Sequence, residues 1–331
     1  MAAMCAEFPD AETIRSALML AGRAPSVHNT QPWRWRVGEH SLHLYADRDL
    51  LLPHTDPDAR DLMLSCGAAL HHCAVALAAL GWQSRIERFP DPADPDHLAA
   101  IELHRYPASE NDVALAAAIP RRRTDRRTYS PWPVPERDIA LMGARAARAG
   151  VLLRRLDSLD HLIRIVADAA RQHRTDAEYL TELTIWSGRY ASTAGVPARN
   201  APMPDGSAPI PPRTFAGAAL PQPDVDAAQD GATVIALGTV ADDDLARLRA
   251  GEAASLVMLT ATAQGLASCP ITEPLEISET RAAVQADVFG PDAYPQMLLR
   301  IGWAPINADP LPSTPRRALA EWATRVDGSA L

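Results

Sequence analysis

Residues 24–33 of the chain read APSVHNTQPW and stand between two segments of contrasting pattern. The preceding segment, Ala11 to Ala21, has apolar side chains at helical spacing and is stopped by Gly22. The following segment, Trp33 to Val37, alternates apolar and charged residues, as a half-buried strand does. The ten residues are therefore predicted to form a polar connection from a helix to a strand.

Four side chains of this connection can bind a ligand through hydrogen bonds alone. Ser26, His28, Asn29 and Gln31 carry hydroxyl, imidazole and carboxamide groups. Such groups match the edge of a uracil-like heterocycle without using charge. The same residue types are also typical of a plain turn ahead of a strand. The residues alone leave both interpretations open.

The remainder of the chain predicts the same order of elements twice. The predicted helices are Asp58–Leu80, Glu136–Ala149, Ser158–Gly188 and Gly251–Ala263, and the predicted strands are Ser41–Tyr45, Gln83–Phe89, Leu98–Tyr106, Val151–Leu153, Thr233–Leu237 and Gln296–Trp303. Two of the helices are apolar on all sides, which indicates burial. Gly67 and Gly81 in the first are fourteen residues apart, and so are Gly251 and Gly265 in the second. These matches favour a duplicated unit.

The composition excludes several classes of protein. The 331 residues, 47% of them hydrophobic, are typical of a globular protein with an ample core. A formal net charge of −9 does not favour binding to nucleic acid or to an anionic membrane. The chain has no lysine, which excludes a P-loop and a pyridoxal phosphate Schiff base. Any anion site must therefore be a local cluster of arginines.

Residues 121–127 read RRRTDRR and are the densest cluster of this kind. A guanidinium fork matches the geometry of a phosphate group, and a threonine hydroxyl adds a donor. A second pair, Arg316-Arg317, follows Pro315 at a predicted helix start, where free N–H groups also favour an anion. The two elements can meet at one phosphate. A solvated surface turn is the alternative for each.

Residues 196–223, the Pro-rich segment, hold eight of the 29 prolines. Such a composition does not allow regular helix or sheet interior. The segment is either a surface linker or a lid over a site, because long loops in compact proteins are often functional.

Four motifs give the chain a resemblance to the nitroreductase superfamily. Residues 24–33 resemble its pattern A-P-S-x-x-N-x-Q-P-W, and residues 122–126, RRTDR, are similar to its R-R-S-x-R/K signature. Residues 265–273, GLASCPITE, resemble the G-L-x-S-x-P-I loop, and residues 315–319, PRRAL, resemble the C-terminal basic pair. The resemblance covers most of the chain and implies an α+β fold that binds flavin mononucleotide (FMN).

The resemblance also implies which residues contact FMN. Ser26 and Asn29, with His28 and Gln31 beside them, match residues that reach the flavin from the partner subunit. The implied phosphate and pyrimidine contacts are Arg122, Arg123, Thr124, Arg126, Arg316 and Arg317, and the implied contacts near flavin N5 are Pro270, Ile271, Thr272 and Glu273. Glu273 stands where the family often has glycine. Arg126 is expected to replace a lysine near flavin N1 and O2.

The order of the motifs predicts a fused pseudo-dimer. In an ordinary nitroreductase the arginine motif opens the chain, whereas here residues 24–33 come first. We expect a first nitroreductase-like half at residues 1–118 and a second at residues 119–331, with a Pro-rich lid inserted at 190–225. The halves would share a single FMN site. This arrangement resembles the Acg-like subfamily, which is associated with dormancy.

Two functions follow from the resemblance. In the first, NAD(P)H reduces FMN by hydride transfer, and FMN then reduces a nitroaromatic, quinone or similar acceptor. In the second, the protein sequesters FMN under the lid and turns over little or not at all. A Pro-rich segment ordered over the flavin favours sequestration, and a peripheral one favours catalysis.

The sequence also predicts where the protein acts. The N-terminal residues lack the basic and apolar regions of a signal peptide, and no apolar run reaches the roughly 20 residues of a membrane span. No spacing of cysteine or histidine indicates a metal site. We expect a cytoplasmic protein with a small-molecule substrate and no nucleic-acid or membrane partner. It is expected to be a monomer, with further oligomerisation left open.

Overall fold

The structure is a computed structural model that describes residues 8–188, 192–203, 210, 212–222, 230–305 and 308–331. The helices are α1 (Ala11–Ala21), α2 (Arg60–Ala79), α3 (Glu110–Ala118), α4 (Glu136–Arg148), α5 (Asp160–Thr175), α6 (Ala177–Ile185), α7 (Asp244–Ala263) and α8 (Ser278–Val284). The strands are β1 (Trp33–Val37), β2 (Ser41–Ala46), β3 (Trp82–Arg88), β4 (His97–Arg105), β5 (Leu152–Arg155), β6 (Thr233–Thr239), β7 (Ala267–Ile271), β8 (Tyr294–Gly302) and β9 (Ala323–Arg325).

The strands form two sheets that have the same internal order. One sheet runs β3-β4-β2-β1-β9 and the other β7-β8-β6-β5, with antiparallel neighbours except at β9. β9 runs parallel to β1, where Ala323 pairs with Trp35. The last strand of the chain therefore completes the sheet that residues 33–105 begin.

The central helices α2 and α7 cross at the two aligned glycines. A Cβ atom on Gly67 would lie 2.1 Å from the carbonyl oxygen of Leu248, and one on Gly251 would lie 2.1 Å from that of Leu64. The relation is reciprocal, because each leucine precedes its own glycine by three residues. Only glycine allows two backbones to approach so closely. The glycine alignment predicted from the sequence thus coincides with the contact between the two repeated units.

Burial explains the apolar character of α2. By length and composition this helix could cross a membrane, so the expectation that no apolar run reaches that length is wrong. Inside the protein, however, 78% of the most apolar 18-residue stretch of this helix is buried. Leu62, Met63 and Leu70 lie in one core cluster with Trp33 and Trp35 of β1. The helix is apolar on all sides because it lies between a sheet and α7.

Two predicted helices are wrong. The single helix predicted over Ser158–Gly188 is two helices, because Asp176 has extended backbone angles and its side chain accepts hydrogen bonds from the N–H groups of Glu178 and Tyr179. No α-helix starts at Pro315, and only a single 3₁₀ turn, Leu319–Glu321, follows. There the N–H of Arg317 donates to Gln31 instead of entering a helix.

The other predicted elements agree with the structure to within a few residues, except that α7 begins seven residues before the predicted Gly251. α3, β7, α8 and β9 have no counterpart among the predicted elements. α3 begins with a capping box between Ser109 and Asp112, a signal that the sequence does carry.

Candidate functional site

The connection between α1 and β1, residues 22–32, has a strained backbone. His28, Asn29 and Gln31 have φ angles of 43°, 57° and 57°, in the left-handed region that residues other than glycine seldom adopt. Ser26 supports this shape, since its Oγ accepts a hydrogen bond of 3.0 Å from the N–H of Gln31. Strain of this kind persists where the surroundings fix it, and it concentrates at functional sites.

Two carboxamides of this connection hold distant segments together. The Asn29 side chain donates to the carbonyl oxygens of Gly195 and Pro315, at 3.1 and 3.2 Å. Gln31 donates to the carbonyl oxygen of Thr193 at 2.9 Å, and its own oxygen accepts from the N–H of Arg317 at 2.9 Å. Both side chains are thus engaged with backbone, and neither lines the cleft described next.

A cleft of about 1080 Å³, including its open mouth, lies beside the crossing of α2 and α7. Eight of the predicted site residues line it: Ser26, His28, Thr124, Arg126, Pro270, Ile271, Thr272 and Glu273. Its floor is apolar, with Leu64 and Ala68 from α2 and Ala254 and Met258 from α7. Both repeated units therefore contribute to one cavity.

Four arginines lie behind Thr124 at one end of this cleft, although none of them lines it, and we call Arg23, Arg122, Arg123 and Arg316 the arginine cluster. Burial and the charges of Arg123 and Arg23 lower the pKa of Arg122, and burial and the charges of Arg122 and Arg23 lower the pKa of Arg316. A guanidinium stays protonated despite such shifts. The shifts therefore measure mutual repulsion and lost hydration rather than a loss of charge.

No carboxylate balances the arginine cluster within the described part of the chain. None of its four members forms an ion pair there. The buried Nε atoms of Arg23, Arg122 and Arg123 have no hydrogen-bond partner among these residues. Buried charges are normally paired. This arrangement is suited to binding an anion of high charge, such as a phosphate group.

Hydrogen bonds fix the arginine cluster against the strained connection and the cleft. Arg316 donates to the carbonyl oxygens of Gly22, Arg23 and Ala24, at 3.0 to 3.2 Å. The Arg122 guanidinium lies 3.5 Å from the Oγ1 atom of Thr124, which lines the cleft. Thr124 therefore stands between the cluster and the cavity.

Arg317 points elsewhere, although the sequence suggests a pair. Its guanidinium lies 3.8 Å from Asp47 and 3.6 Å from Glu321, and it donates to the carbonyl oxygen of Gln31. Carboxylates thus neutralise Arg317, and the geometry gives it a structural contact outside the arginine cluster.

The other end of the cleft holds an acid–base pair. Nδ1 of His173 on α5 lies 3.3 Å from Oε1 of Glu273, and both side chains are buried. Burial would raise the pKa of Glu273, but the hydrogen bond with His173 and the charge of Arg213 hold it below its usual value. Glu273 is therefore a carboxylate in the lining of the cleft.

Residues of the Pro-rich segment line this end as well. The Arg213 guanidinium lies 2.5 Å from Nε2 of His28 and forms a buried ion pair with Glu276. Since arginine can only donate, Nε2 of His28 must be unprotonated. Burial and the charges of Arg213 and Arg126 lower the pKa of His28 well below its ordinary value, which favours that form.

Phe215 completes this contact. Its ring lies 6.0 Å from that of His28, edge to face, and the Arg126 guanidinium lies 4.8 Å from the ring centre. The ring is buried in a small apolar cluster with Tyr179 and Leu183 of α6. Parts of the predicted lid, residues 190–191, 204–209, 211 and 223–225, lie outside the described residues. The described part around Phe215 covers one end of the cleft.

Several residues of the site have no place in the sequence-based prediction. They are Arg23, Asp61, Ser65, Arg213, Phe215 and Arg300. Arg23 directly precedes the ten-residue stretch, so its position was a usable signal. Arg213 and Phe215 lie in a segment without periodicity, and only the fold brings them to the cleft.

Comparison with known proteins places this geometry in a family. No protein-family model matches the chain. A Mycobacterium tuberculosis protein (strain H37Rv) named "Putative NAD(P)H nitroreductase Rv3131" is 67% identical over 321 residues, which cover 97% of this chain and 93% of the relative. A second protein of that strain, "Putative NAD(P)H nitroreductase acg", is 36% identical, with 94% and 95% covered.

The chain therefore belongs to the nitroreductase superfamily, in the group that contains Acg. This confirms the resemblance found in the four motifs and the α+β fold class. Among solved structures, the FMN-dependent nitroreductase NfnB from Mycobacterium smegmatis in complex with NADPH is 20% identical, with a TM-score of 0.39 over 62% of this chain and 97% of that one. An FMN-bound nitroreductase from Desulfitobacterium hafniense has a TM-score of 0.41 and 11% identity, with 64% and 98% covered.

Proposed function

We propose that the chain binds FMN in the cleft, with its phosphate held by the arginine cluster. The observation that supports this most directly is the group of four guanidinium ions, with Arg122 buried and the others partly buried, that has no carboxylate among the described residues. A phosphate dianion supplies the missing charge, and arginine forks bind it in a bidentate manner. Arg122, Arg123 and Arg316 were expected in this role, and Arg23 joins them.

The rest of the cleft suits a flat heterocycle with a charged tail. The floor formed by Leu64, Ala254 and Met258 offers an apolar surface to a ring system. Ser26 and Thr272 place hydroxyl groups at its border. We assign the isoalloxazine to this region, against residues 270–273.

The activity that we propose is NAD(P)H-dependent reduction of nitroaromatic, quinone or similar acceptors. Bound FMN would supply the hydride transfer, as flavins do. The chain itself holds and orients the cofactor. Arg126, which lines the cleft, adds a positive charge that would stabilise an anionic reduced flavin. The names of the two mycobacterial relatives support this class of reaction.

A second candidate function is FMN sequestration without appreciable turnover. One observation favours it: Arg213 and Phe215 of the Pro-rich segment contact His28, Glu276 and Arg126 across one end of the cleft. A nicotinamide must stack on the flavin to deliver a hydride. Side chains held over the ring face would prevent that stacking.

The visible spectrum of the purified protein tests the proposal. An oxidised-flavin spectrum that bleaches rapidly after anaerobic addition of NADH or NADPH supports the reductase. A flavin spectrum that only dithionite bleaches supports sequestration. A colourless protein that cannot be reconstituted with FMN contradicts both functions.

The variant Phe215→Ala separates the two functions further. If the lid blocks the flavin, removing the ring should speed bleaching by NADPH at least several-fold and leave FMN content unchanged. Met203→Ala is the matched control, because Met203 lies in the same segment but is half exposed. Equal bleaching rates in Phe215→Ala and wild type would show that the Phe215 ring does not block the access of NADPH to the flavin.

A further inference from the structure

Reduction of a quinone or a nitro group in the cleft requires a proton besides the hydride. A hydride is one proton with two electrons. Conversion of a quinone to a quinol, or of a nitro group to a nitroso group and water, takes up two electrons and two protons. For each hydride, one further proton must therefore reach an oxygen atom of the acceptor, and a positioned side chain can supply it.

The described lining of the cleft offers four titratable side chains other than arginine, namely His28, Asp61, Cys269 and Glu273. Arg213 donates to Nε2 of His28, so this ring is held neutral, and a neutral imidazole is too weak an acid. Asp61 forms an ion pair with Arg60 at 2.6 Å, and a guanidinium does not give up its protons. Burial raises the pKa of the Cys269 thiol, which therefore keeps its proton.

Glu273 differs from these three because a second proton carrier contacts it. Its Oε1 atom lies 3.3 Å from Nδ1 of His173, and both side chains are buried. The ring of Tyr179 stacks on the imidazole, with ring centroids 3.8 Å apart and an interplanar angle of 7°. Oε2 of Glu273 makes no hydrogen bond within the described part of the chain. One carboxylate oxygen thus contacts the imidazole, and the other is left for a ligand in the cleft.

We propose that Glu273 and His173 form a proton relay that protonates the acceptor during its reduction. The inference rests on the proposed reductase activity, with the isoalloxazine against residues 270–273. Glu273 is the catalytic residue, since its carboxyl O–H bond breaks as an O–H bond forms on the acceptor oxygen. His173 supplies Glu273 with the proton from Nδ1 and regains one from solvent. The hydride brings both electrons, so no side chain is oxidised or reduced.

The charges around the pair explain why two residues are needed. Burial raises the pKa of Glu273, but the hydrogen bond with His173 and the charge of Arg213 together bring it below its ordinary value. Glu273 alone is therefore a carboxylate with no proton to give. An acceptor oxygen that has gained the electrons of a hydride binds a proton more strongly than a carboxylate does. The proton then moves from His173 through Glu273 to the acceptor.

Reoxidation of the photoreduced, FMN-loaded full chain tests the relay in a stopped-flow instrument. A quinone needs the proton, whereas ferricyanide takes up electrons alone and controls for flavin access and potential. Glu273→Gln should slow the quinone reaction by about 10²–10⁴-fold, as loss of a general acid does, and leave the ferricyanide reaction unchanged. Glu182→Gln on α6 is the matched control, because this buried glutamate contacts Thr55 outside the cleft lining, and it should keep both rates.

The outcomes separate the relay from the function on which it rests. A wild-type rate of quinone reoxidation in Glu273→Gln would overturn the relay and leave the reductase proposal intact. Equal slowing with both oxidants would overturn it as well, because the change would then lie in the flavin and not in the proton supply. A wild-type chain that binds no FMN, or whose flavin a quinone does not reoxidise, would contradict the proposed function and the relay with it.

Nitrogen NMR of the flavin-free full chain gives a readout that does not depend on turnover. The Nδ1 resonance of His173, identified by its absence in His173→Gln, should show a bound proton that is hydrogen-bonded to Glu273. Glu273→Gln should shift this resonance, and Glu182→Gln should leave it in place. A resonance that does not respond to Glu273→Gln would show that the two side chains share no proton and would overturn the relay. Should Glu273→Gln fail to fold, an Nδ1 resonance without a hydrogen bond in the wild-type chain would overturn it equally.

Discussion

The two repeated units differ where a helix connects to the first strand of each sheet. Residues 22–32 join α1 to β1, whereas only residues 149–151 join α4 to β5. The longer connection holds the strained backbone, Ser26, His28 and the carbonyl groups that fix Arg316. The shorter one is a turn at Gly150, whose φ is 76°. The repeated framework is thus shared, and the longer connection supplies part of the cleft at one of its two ends.

A second difference lies at positions that the aligned glycines make equivalent. Ala68 and Glu252 are equivalent, since each directly follows its glycine, Gly67 or Gly251. Arg88 and Thr272 are equivalent as well, since each lies seven residues after its glycine, Gly81 or Gly265. Ala68 and Thr272 line the cleft. Arg88 and Glu252 instead form a bidentate ion pair at 2.7 and 2.8 Å. We call this position the closed end.

The largest expected effect concerns the arginine cluster beside the cleft. Arg122→Ala with Arg316→Ala should weaken FMN binding by roughly 10²–10⁴-fold, because charge-assisted hydrogen bonds contribute about 1.5–3 kcal/mol each. The ratio of flavin to protein absorbance in the purified variant measures this effect. Arg317→Ala is the control and should keep its FMN; unchanged FMN content in the double variant would rule out the phosphate assignment.

The next effect should be equal in the two units. Gly67→Ala and Gly251→Ala each place a methyl group 2.1 Å from a backbone oxygen. Overpacking of this kind costs about 1–3 kcal/mol or more. Denaturant unfolding should show a similar loss for both. Gly143→Ala in α4, with nothing within 4 Å, should instead be neutral or slightly stabilising. A harmless Gly251→Ala would contradict the reciprocal crossing.

The third effect is a pH dependence of the unfolding free energy that arises at His71 of α2. This side chain contacts Ser255, which occupies the equivalent position of α7. Burial first, with Arg145 second, lowers the pKa of His71 to about 4. Between about pH 6.5 and 4 the unfolded chain then binds one proton more than the folded chain. The free energy of unfolding therefore decreases by about 1.4 kcal/mol for each unit by which the pH is lowered. His71→Ser should remove that slope from the unfolding free energy. The exposed His104→Gln should not, and an equal acid slope in both variants would refute the assignment.

The smallest effect is expected at the closed end. Arg88→Ala or Glu252→Ala should each destabilise the protein, and the double variant should cost less than their sum, with a coupling of about 1–2 kcal/mol. FMN content should stay at the wild-type level in all three. Unfolding curves give the coupling, and loss of flavin from any of these variants would show that the closed end contributes to the site.

Much of the framework could be predicted from the sequence because its signals are local. Glycine stops, strand alternation and the apolar faces of α2 and α7 each depend on neighbouring residues. The break at Asp176 was missed because apolar spacing continues through it, although its capping side chain was visible. The strand β9 has only three residues, and its pairing with β1 depends on a contact between the two ends of the chain.

The site could be predicted less completely, because several of its contacts join residues that are far apart in sequence. The motifs predicted Arg122, Arg316 and residues 270–273 as site residues, and the structure places residues 270–273 in the lining of the cleft. They could not separate Arg316 from Arg317, because neighbouring residues in an irregular segment can point in opposite directions. They also missed Arg213, whose contacts with His28 and Glu276 join parts of the chain that are far apart in sequence.

The ion pair at the closed end has a consequence for how such a chain can change. In a symmetric homodimer one codon encodes the residue at a given position in both subunits, so that residue cannot be alanine in one subunit and glutamate in the other. Here Ala68 and Glu252 are encoded by separate codons of one chain. A substitution at Glu252 leaves the binding cleft untouched, and the closed end can accumulate changes that a two-subunit relative would have to accept at both of its sites.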